Sequence, residues 1–314
     1  MLTENSSRRH FMRIASGCAG YLATAPLWVR QSFAIRPQAT VVAETPFARI
    51  EALADGVWGV ISTPLRDGER QFATTSNGGI VQGRDGLLIV EGFMSDEGSA
   101  WVAEQAFALT GMRPTHVVLT HFHGDHCRGI AGLGLDGAAS HATARTRELM
   151  AEGEETILPE GEIAANGDTT IDLGGTQATV TARMGHTPSD VTVEIRDRNI
   201  VFCGDLVWNE MFPNFTHSIP SHMVRACEQL LRRDGVTYVP GHGDVADMAA
   251  QDNYLGLLQD LERAAQRDAA AGVDLAAAVA AYEVPASLGT FVQFGADYVE
   301  RAFRAWYREL GAAV

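Results

Sequence analysis

From about residue 50 the chain alternates short apolar, β-branched runs with glycine-rich turns: 57–62, 79–82 and 87–91, the last following the turn Arg84-Asp85-Gly86. Runs of that length bounded by such turns predict a meander of antiparallel strands. The period then changes. Residues 95–110 carry apolar positions at helical spacing, with Ser95 placed to cap the first turn and Gly111 to stop the last, and 116–120 is again a short apolar run. Strand, helix and buried strand in that order predict a βαβ-like step.

The second half repeats this style, with strands predicted at 177–183, 191–195, 199–203 and 237–240 and a helix at 221–233. An Ala- and Leu-rich helix follows over 245–271, then helices near 274–282 and 297–310. No internal repeat and no Pro- or Ser-rich linker divides the chain. The pattern predicts one α/β domain with a helical C-terminal portion from about residue 245.

Ahead of that domain, Ser7-Arg8-Arg9-His10-Phe11-Met12 precedes an apolar stretch over 14–29 rich in Gly, Ala, Ser and Thr. This matches a twin-arginine export signal, with Arg8 and Arg9 the pair read by the twin-arginine translocase. A membrane anchor needs about 20 strongly apolar residues, so no stable anchor is expected. Ser32-Phe33-Ala34 has the form of a cleavage site, which divides the chain into a signal peptide, 1–34, and a domain, 35–314, that is periplasmic or secreted. A second candidate cut lies near Ala39.

With 46% hydrophobic and 20% charged residues, the 314-residue chain has the composition of a globule. Its 24 basic residues, all Arg, face 39 acidic ones, a net charge of −15. Residues 1–34 hold four Arg and one Glu, so removing them leaves 20 basic against 38 acidic and a charge of −18. A chain so acidic repels phosphate, which argues against nucleic acid; the expected partner is a small-molecule substrate. Three cysteines remain, Cys127, Cys203 and Cys227. An odd number without framework spacing predicts burial rather than disulfides.

The strongest chemical signal is His121-Phe122-His123-Gly124-Asp125-His126, directly after the run 116–120. Three imidazoles and a carboxylate in six residues are hard to satisfy as packing, whereas they suit zinc or iron. Here the sequence resembles the metallo-β-lactamase superfamily, whose signature is His-x-His-x-Asp-His. Gly185-His186-Thr187-Pro188, Cys203-Gly204-Asp205 and Pro240-Gly241-His242-Gly243 follow in the order that superfamily requires.

The resemblance implies a four-layer αβ/βα sandwich with extra C-terminal helices. It also implies two Zn2+ ions per chain, one held by His121, His123 and His186, the other by Asp125, His126 and His242, with Asp205 bridging. The aspartate at the bridge is similar to the glyoxalase II-like branch, since dedicated zinc β-lactamases lack it. Cys203, two residues earlier and read as lying on the same strand face, is the alternative ligand. The activity implied is hydrolysis of an ester, thioester, lactone or lactam by a metal-bridging hydroxide that catalytic Asp125 orients.

Three readings compete with it: a mononuclear iron oxidoreductase resembling the persulfide dioxygenases, a β-lactamase as the main role, and a metal-holding binding protein. Asn209, His217 and His222 fall in a loop-like stretch over 208–222 that can cover the site, and are candidate substrate contacts. Asp190 is either an orienting partner for a ligand imidazole or an ordinary turn residue, and His116 and His141 read as structural. Export argues against cytosolic glutathione thioesters as substrates.

Overall fold

The computed structural model describes residues 39–64, 72–153, 155 and 157–314. The predicted signal peptide, with Arg8 and Arg9, lies outside them. Two sheets dominate residues 40–314. The first runs in chain order through β1 (Thr40–Thr45), β2 (Ala48–Ala54), β3 (Val57–Ser62), β4 (Gly78–Gln82), β5 (Leu87–Val90), β6 (His116–Val118), β7 (Ala139–Thr143) and β8 (Gly161–Ile163). Its first five strands form the antiparallel meander, and β5 to β8 pair in parallel. The second comprises β9 (Asp168–Asp172), β10 (Gln177–Ala182), β11 (Val191–Ile195), β12 (Ile200–Trp208) and β13 (Thr237–His242) in the order β13-β12-β11-β10-β9. Only β12 and β13 are parallel there.

Helix α1 (Asp96–Thr110) crosses from β5 to β6. Ser95 Oγ accepts from Gly98 N at 3.3 Å, and Gly111 closes the helix at φ 70°, the expected start and stop. The remaining helices are α2 (Gly124–Cys127), α3 (Ala144–Glu152), α4 (Pro220–Glu228), α5 (Met248–Ala270), α6 (Leu275–Ala281) and α7 (Tyr298–Leu310).

Strand β5, Leu-Leu-Ile-Val, shows why the layers stack as they do. Leu87 and Ile89 face α1 with Val102 and Ala106, while Leu88 and Val90 face Val193 and Phe202 of the other sheet. A strand apolar on both sides must be covered on both sides. The outer face of the second sheet, with Val201, Cys203 and Tyr238, is covered by Leu257 and Leu261 of α5 and by Phe303 and Trp306 of α7. Each such side chain contributes about 1.5–3 kcal/mol by its burial. The result is a four-layer αβ/βα sandwich.

Three element boundaries depart from the pattern. The strand expected to end at Cys203 runs on to Trp208, because Gly204 takes φ +53° and the register with β13 slips there instead of stopping. The helix expected over 221–233 ends at Glu228, where Gln229 N bonds back to Arg225 O and Ala226 O ahead of the polar turn at 232–235. The long C-terminal helix begins at Met248, because Ala246 is bridged to Tyr238 and Asp247 Oδ1 caps Ala250 N at 2.9 Å. Cys127, Cys203 and Cys227 are buried and unpaired. Among the described residues no helix is long and apolar enough to cross a membrane.

Candidate metal centre

The segment after β6 turns directly into α2, so His121, His123, Asp125 and His126 radiate from one short piece of backbone. His186 comes from the β10–β11 loop, where Asp190 accepts from Thr187 N at 2.8 Å and from Thr187 Oγ1 at 2.6 Å and fixes the turn. His242 ends β13, and Asp205 lies in β12 just past the slip at Gly204. That slip corrects the placing of Cys203 on the same face as Asp205. Residues two apart on a regular strand share a face, but Cys203 is packed in the helical layer with Sγ 3.6 Å from Val201 O, while Asp205 meets the histidines. A side chain at Gly204 would press on Thr120 Oγ1, and one at Gly241 would collide with Asp205 Oδ1.

The potential ligand atoms fall into two groups, His121, His123, His186 and Asp205 in one and Asp125, His126 and His242 in the other. Asp205 divides its oxygens between them. Oδ2 lies 3.2 Å from His186 Nε2 and 3.9 Å from His121 Nε2, whereas Oδ1 lies 3.1 Å from His126 Nε2 and 3.4 Å from His242 Nε2. Asp125 Oδ2 sits 3.4 Å from His242 Nε2 and 3.8 Å from His126 Nε2.

The far nitrogens are engaged elsewhere. His126 Nδ1 is 3.0 Å from Glu91 Oε1, and His121 Nδ1 is 3.0 Å from Thr120 Oγ1, which donates to Glu91 Oε1 at 2.5 Å. These contacts assign each Nδ1 a proton and turn each Nε2 inward. His123 is reversed, with Nδ1 inward at 3.0 Å from His186 Nε2 and Nε2 2.9 Å from His217 Nδ1. His121 Nε2, His126 Nε2 and Asp205 Oδ1 are buried without a hydrogen-bond partner. Buried polar atoms without a hydrogen bond carry a cost that a bound cation removes, so imidazole and carboxylate donors in this arrangement fit metal ions.

The electrostatics of the two groups differ. Burial lowers His121 well below the ordinary imidazole value, His123 to about 3 and His186 to about 4. Burial also opposes charge on His126 and His242, but Asp205 and Asp125 outweigh it at both, joined by Glu91 at His126, and raise His126 well above the usual range and His242 to about 9. Burial works against ionisation of Asp125 and Asp205 as well. His126 and His242 overcome it, holding Asp125 at about 2 and Asp205 lower than usual.

A cavity of about 680 Å3 opens onto Asp125, Asp205, His123 and His242, with Phe72, Trp208, Phe294 and Tyr298 in its walls. The Trp208 ring centroid lies 4.1 Å from that of His242. Of the three loop candidates, His217 lines this cavity. Asn209 faces a neighbouring one and gives its amide to Asp244 O at 2.9 Å, and His222 stands on α4 outside the cavity lining. His116 and His141 stack on one another at 5.4 Å, away from the centre.

Glu91 escaped the sequence pattern. It reads as the polar end of an apolar strand, yet it is buried and joins His126, Thr120 Oγ1 and Thr120 N. Its φ of +85° costs about 1–3 kcal/mol for a residue with a side chain, a strain those bonds must hold in place. Glu91→Gln is expected to weaken zinc binding at the His126 group by about 10–100-fold, the range found for partners behind a ligand histidine. Calorimetric titration of metal-free protein checks this, and unchanged affinity would remove Glu91 from the centre.

A sandwich of this architecture with such a donor cluster at its edge defines a metal-dependent hydrolase, and comparison with known proteins agrees. The sequence profile of the metallo-beta-lactamase superfamily matches residues 73–242. The chain belongs to this superfamily. A metallo-beta-lactamase type 2 from Bacillus sp. (strain 170) is 28% identical over 229 residues, covering 71% of this chain and 86% of that protein. A hydroxyacylglutathione hydrolase from Cereibacter sphaeroides is 34% identical over 101 residues, 32% of this chain and 36% of that protein. Among solved structures, a metallo-beta-lactamase from Pontibacter korlensis superposes with a TM-score of 0.60 at 24% identity over 68% of this chain and 99% of that one, a likeness of fold.

Proposed function

We propose that this chain is an exported hydrolase that holds two zinc ions and cleaves small acyl compounds, an ester, thioester, lactone or lactam. The observation that carries the reading is the division of Asp205 between two ligand groups, Oδ2 at 3.2 Å from His186 and Oδ1 at 3.1 Å from His126. His121, His123 and His186 would hold one ion, Asp125, His126 and His242 the other, with Asp205 shared. Ions held there supply Lewis acidity and acidify water towards neutrality.

The chain's own groups do the rest. Asp125, ionised and lining the cavity, accepts a hydrogen bond from the attacking water and orients it. Trp208 packs beside the His242 ring, and aromatic side chains wall the cavity that would take the acyl group. Among the described residues no Ser or Cys lines the cavity, and in this reading the attacking group is water. The relatives named above put lactams and thioesters on the panel to assay, and the shared aspartate favours the glyoxalase II-like branch.

Mass spectrometry of metal content tests the reading on protein purified from its own cell envelope without added metal. About two zinc per chain is expected. About one iron overturns it and favours the persulfide dioxygenase-like alternative. For export through Arg8 and Arg9, the mature protein is expected to begin near Ile35, and an Arg8→Lys, Arg9→Lys variant is expected to stay unprocessed in the cytoplasm. Normal processing of that variant would refute it.

A further inference from the structure

The outer nitrogens of the ligand histidines are held in two different ways. His121 and His126 are held from inside the fold, by Thr120 Oγ1 and Glu91 Oε1, both at 3.0 Å, and all four residues are buried. His123 is held from outside. Its Nδ1 faces His186 Nε2 at 3.0 Å, so its Nε2 is turned the other way and meets His217 Nδ1 at 2.9 Å. His217 is an exposed residue of the loop between β12 and α4. Its ring centroid lies 5.1 Å from that of His123 and 5.4 Å from that of Phe122.

An exposed imidazole can hold a neighbour only if ordering it costs little, which requires that its own backbone be held. Here it is held on both sides. Asn214 Oδ1 accepts from Thr216 N at 3.1 Å and from Thr216 Oγ1 at 2.7 Å. Arg301 of α7 donates to Asn214 Oδ1 and Thr216 Oγ1, both at 3.2 Å. After His217, Ser218 Oγ and Ile219 N both donate to Gly185 O, at 2.8 and 2.9 Å. Gly185 immediately precedes His186. The loop therefore grips the turn that carries His186 and, through His217, the ring of His123, two ligands that come from separate elements.

The chemistry of the contact fixes its direction. An imidazole that offers Nδ1 to an ion keeps its proton on Nε2, which makes His123 Nε2 the donor and His217 Nδ1 the acceptor. A hydrogen bond to the far nitrogen of a ligand imidazole orients the ring and raises its basicity. We propose that His217 is a positioning residue for the ion held by His121, His123 and His186, acting through the His123 ring and not as a substrate contact. This rests on the metal centre of the hydrolase reading above, and it is read from zinc binding without turnover.

Zinc binding to metal-free protein, measured by competition with a chromophoric chelator, tests this. His217→Ala and His217→Phe are expected to weaken one of the two binding steps by about 10–100-fold, the range found for partners behind a ligand histidine. That step is expected to differ from the one that Glu91→Gln weakens. His217→Phe keeps an aromatic ring beside Phe122, so equal losses in the two variants assign the effect to the lost acceptor and not to packing. In His217→Asn, Oδ1 lies as many bonds from the backbone as Nδ1 of the imidazole, and most of the affinity is expected to return. At saturating zinc, KM for p-nitrophenyl acetate is expected to be unchanged in all three variants.

Unaltered zinc affinity in His217→Ala, or a loss that the Phe variant recovers and the Asn variant does not, overturns the proposal. A raised KM at unaltered zinc affinity also overturns it and makes His217 a substrate contact. If zinc binding follows the expected pattern but no acyl compound is hydrolysed, the hydrolase reading fails and the role of His217 stands. A wild-type chain that takes up no zinc refutes both.

Discussion

Asp205→Ala is expected to yield a folded protein that retains about one zinc instead of two and loses about 10^3-fold or more in kcat/KM, since electrostatic stabilisation and a second ion vanish together. The expectation follows from where the two carboxylate oxygens lie. Oδ1 is within 3.1–3.4 Å of His126 and His242, and Oδ2 is 3.2 Å from His186. Without Asp205, the group Asp125, His126 and His242 keeps a single carboxylate, whereas His121, His123 and His186 keep three neutral imidazoles. The loss therefore falls on one ion more than the other. Asp205→Asn keeps the shape and one acceptor, so a similar loss in that variant would assign the effect to charge and not to a cavity. Mass spectrometry of metal content with steady-state kinetics reads both variants. Two ions retained with turnover within tenfold of the wild type would refute the shared role of Asp205.

What could be read from the sequence was local. The cap at Ser95 and the stop at Gly111 are short-range hydrogen bonds and a backbone conformation, and both sit where the pattern put them. The cluster from His121 to His126 was visible because six consecutive residues carry four donors. His186, Asp205 and His242 were found only through their order in a known signature, since nothing local marks a lone histidine. Periodicity failed at Gly204. A glycine looks like a strand terminator, but here it absorbs a register slip, extends β12 to Trp208 and separates the faces of Cys203 and Asp205.

Tertiary partners left no pattern at all. Glu91 precedes His126 by 35 positions and meets it only because β5 and β6 pair in parallel and end together. The same holds for His217, whose partner His123 is 94 positions away. Among three polar residues of one loop, chain position could not separate the one that reaches the cavity from Asn209, bonded to Asp244 O, and His222, carried off on α4. The aromatic wall at Phe294 and Tyr298 reads as an ordinary amphipathic tail until the return of the chain against Glu210 and Phe212 is known.

Zinc binding to metal-free protein is expected to split into two pH regimes. Burial keeps His123 and His186 neutral down to about 3 and about 4, and His121 is lowered further into the same regime. These imidazoles need lose no proton above that range, so affinity at their site should be flat across neutral pH. His126 and His242 are the reverse case. Their neighbouring carboxylates hold protons on both, with His242 released only near pH 9. An ion entering there must displace them, so affinity should fall about tenfold for each pH unit below 9 for every proton displaced.

The sign for stability follows from the same values. In metal-free protein the raised His126 and His242 stabilise the fold fully below the unfolded value of about 6.5. That contribution declines as pH rises towards 9, where His242 loses its proton. Metal-free protein should therefore lose thermal stability between pH 6.5 and 9 while the zinc-loaded form, whose imidazoles are already deprotonated, does not. Zinc titrations against a competing chelator from pH 6 to 9, with proton release read from buffers of different ionisation enthalpy, decide the matter. Two sites weakening in parallel, or no proton release at the weaker one, would show that the carboxylates do not set the second group apart.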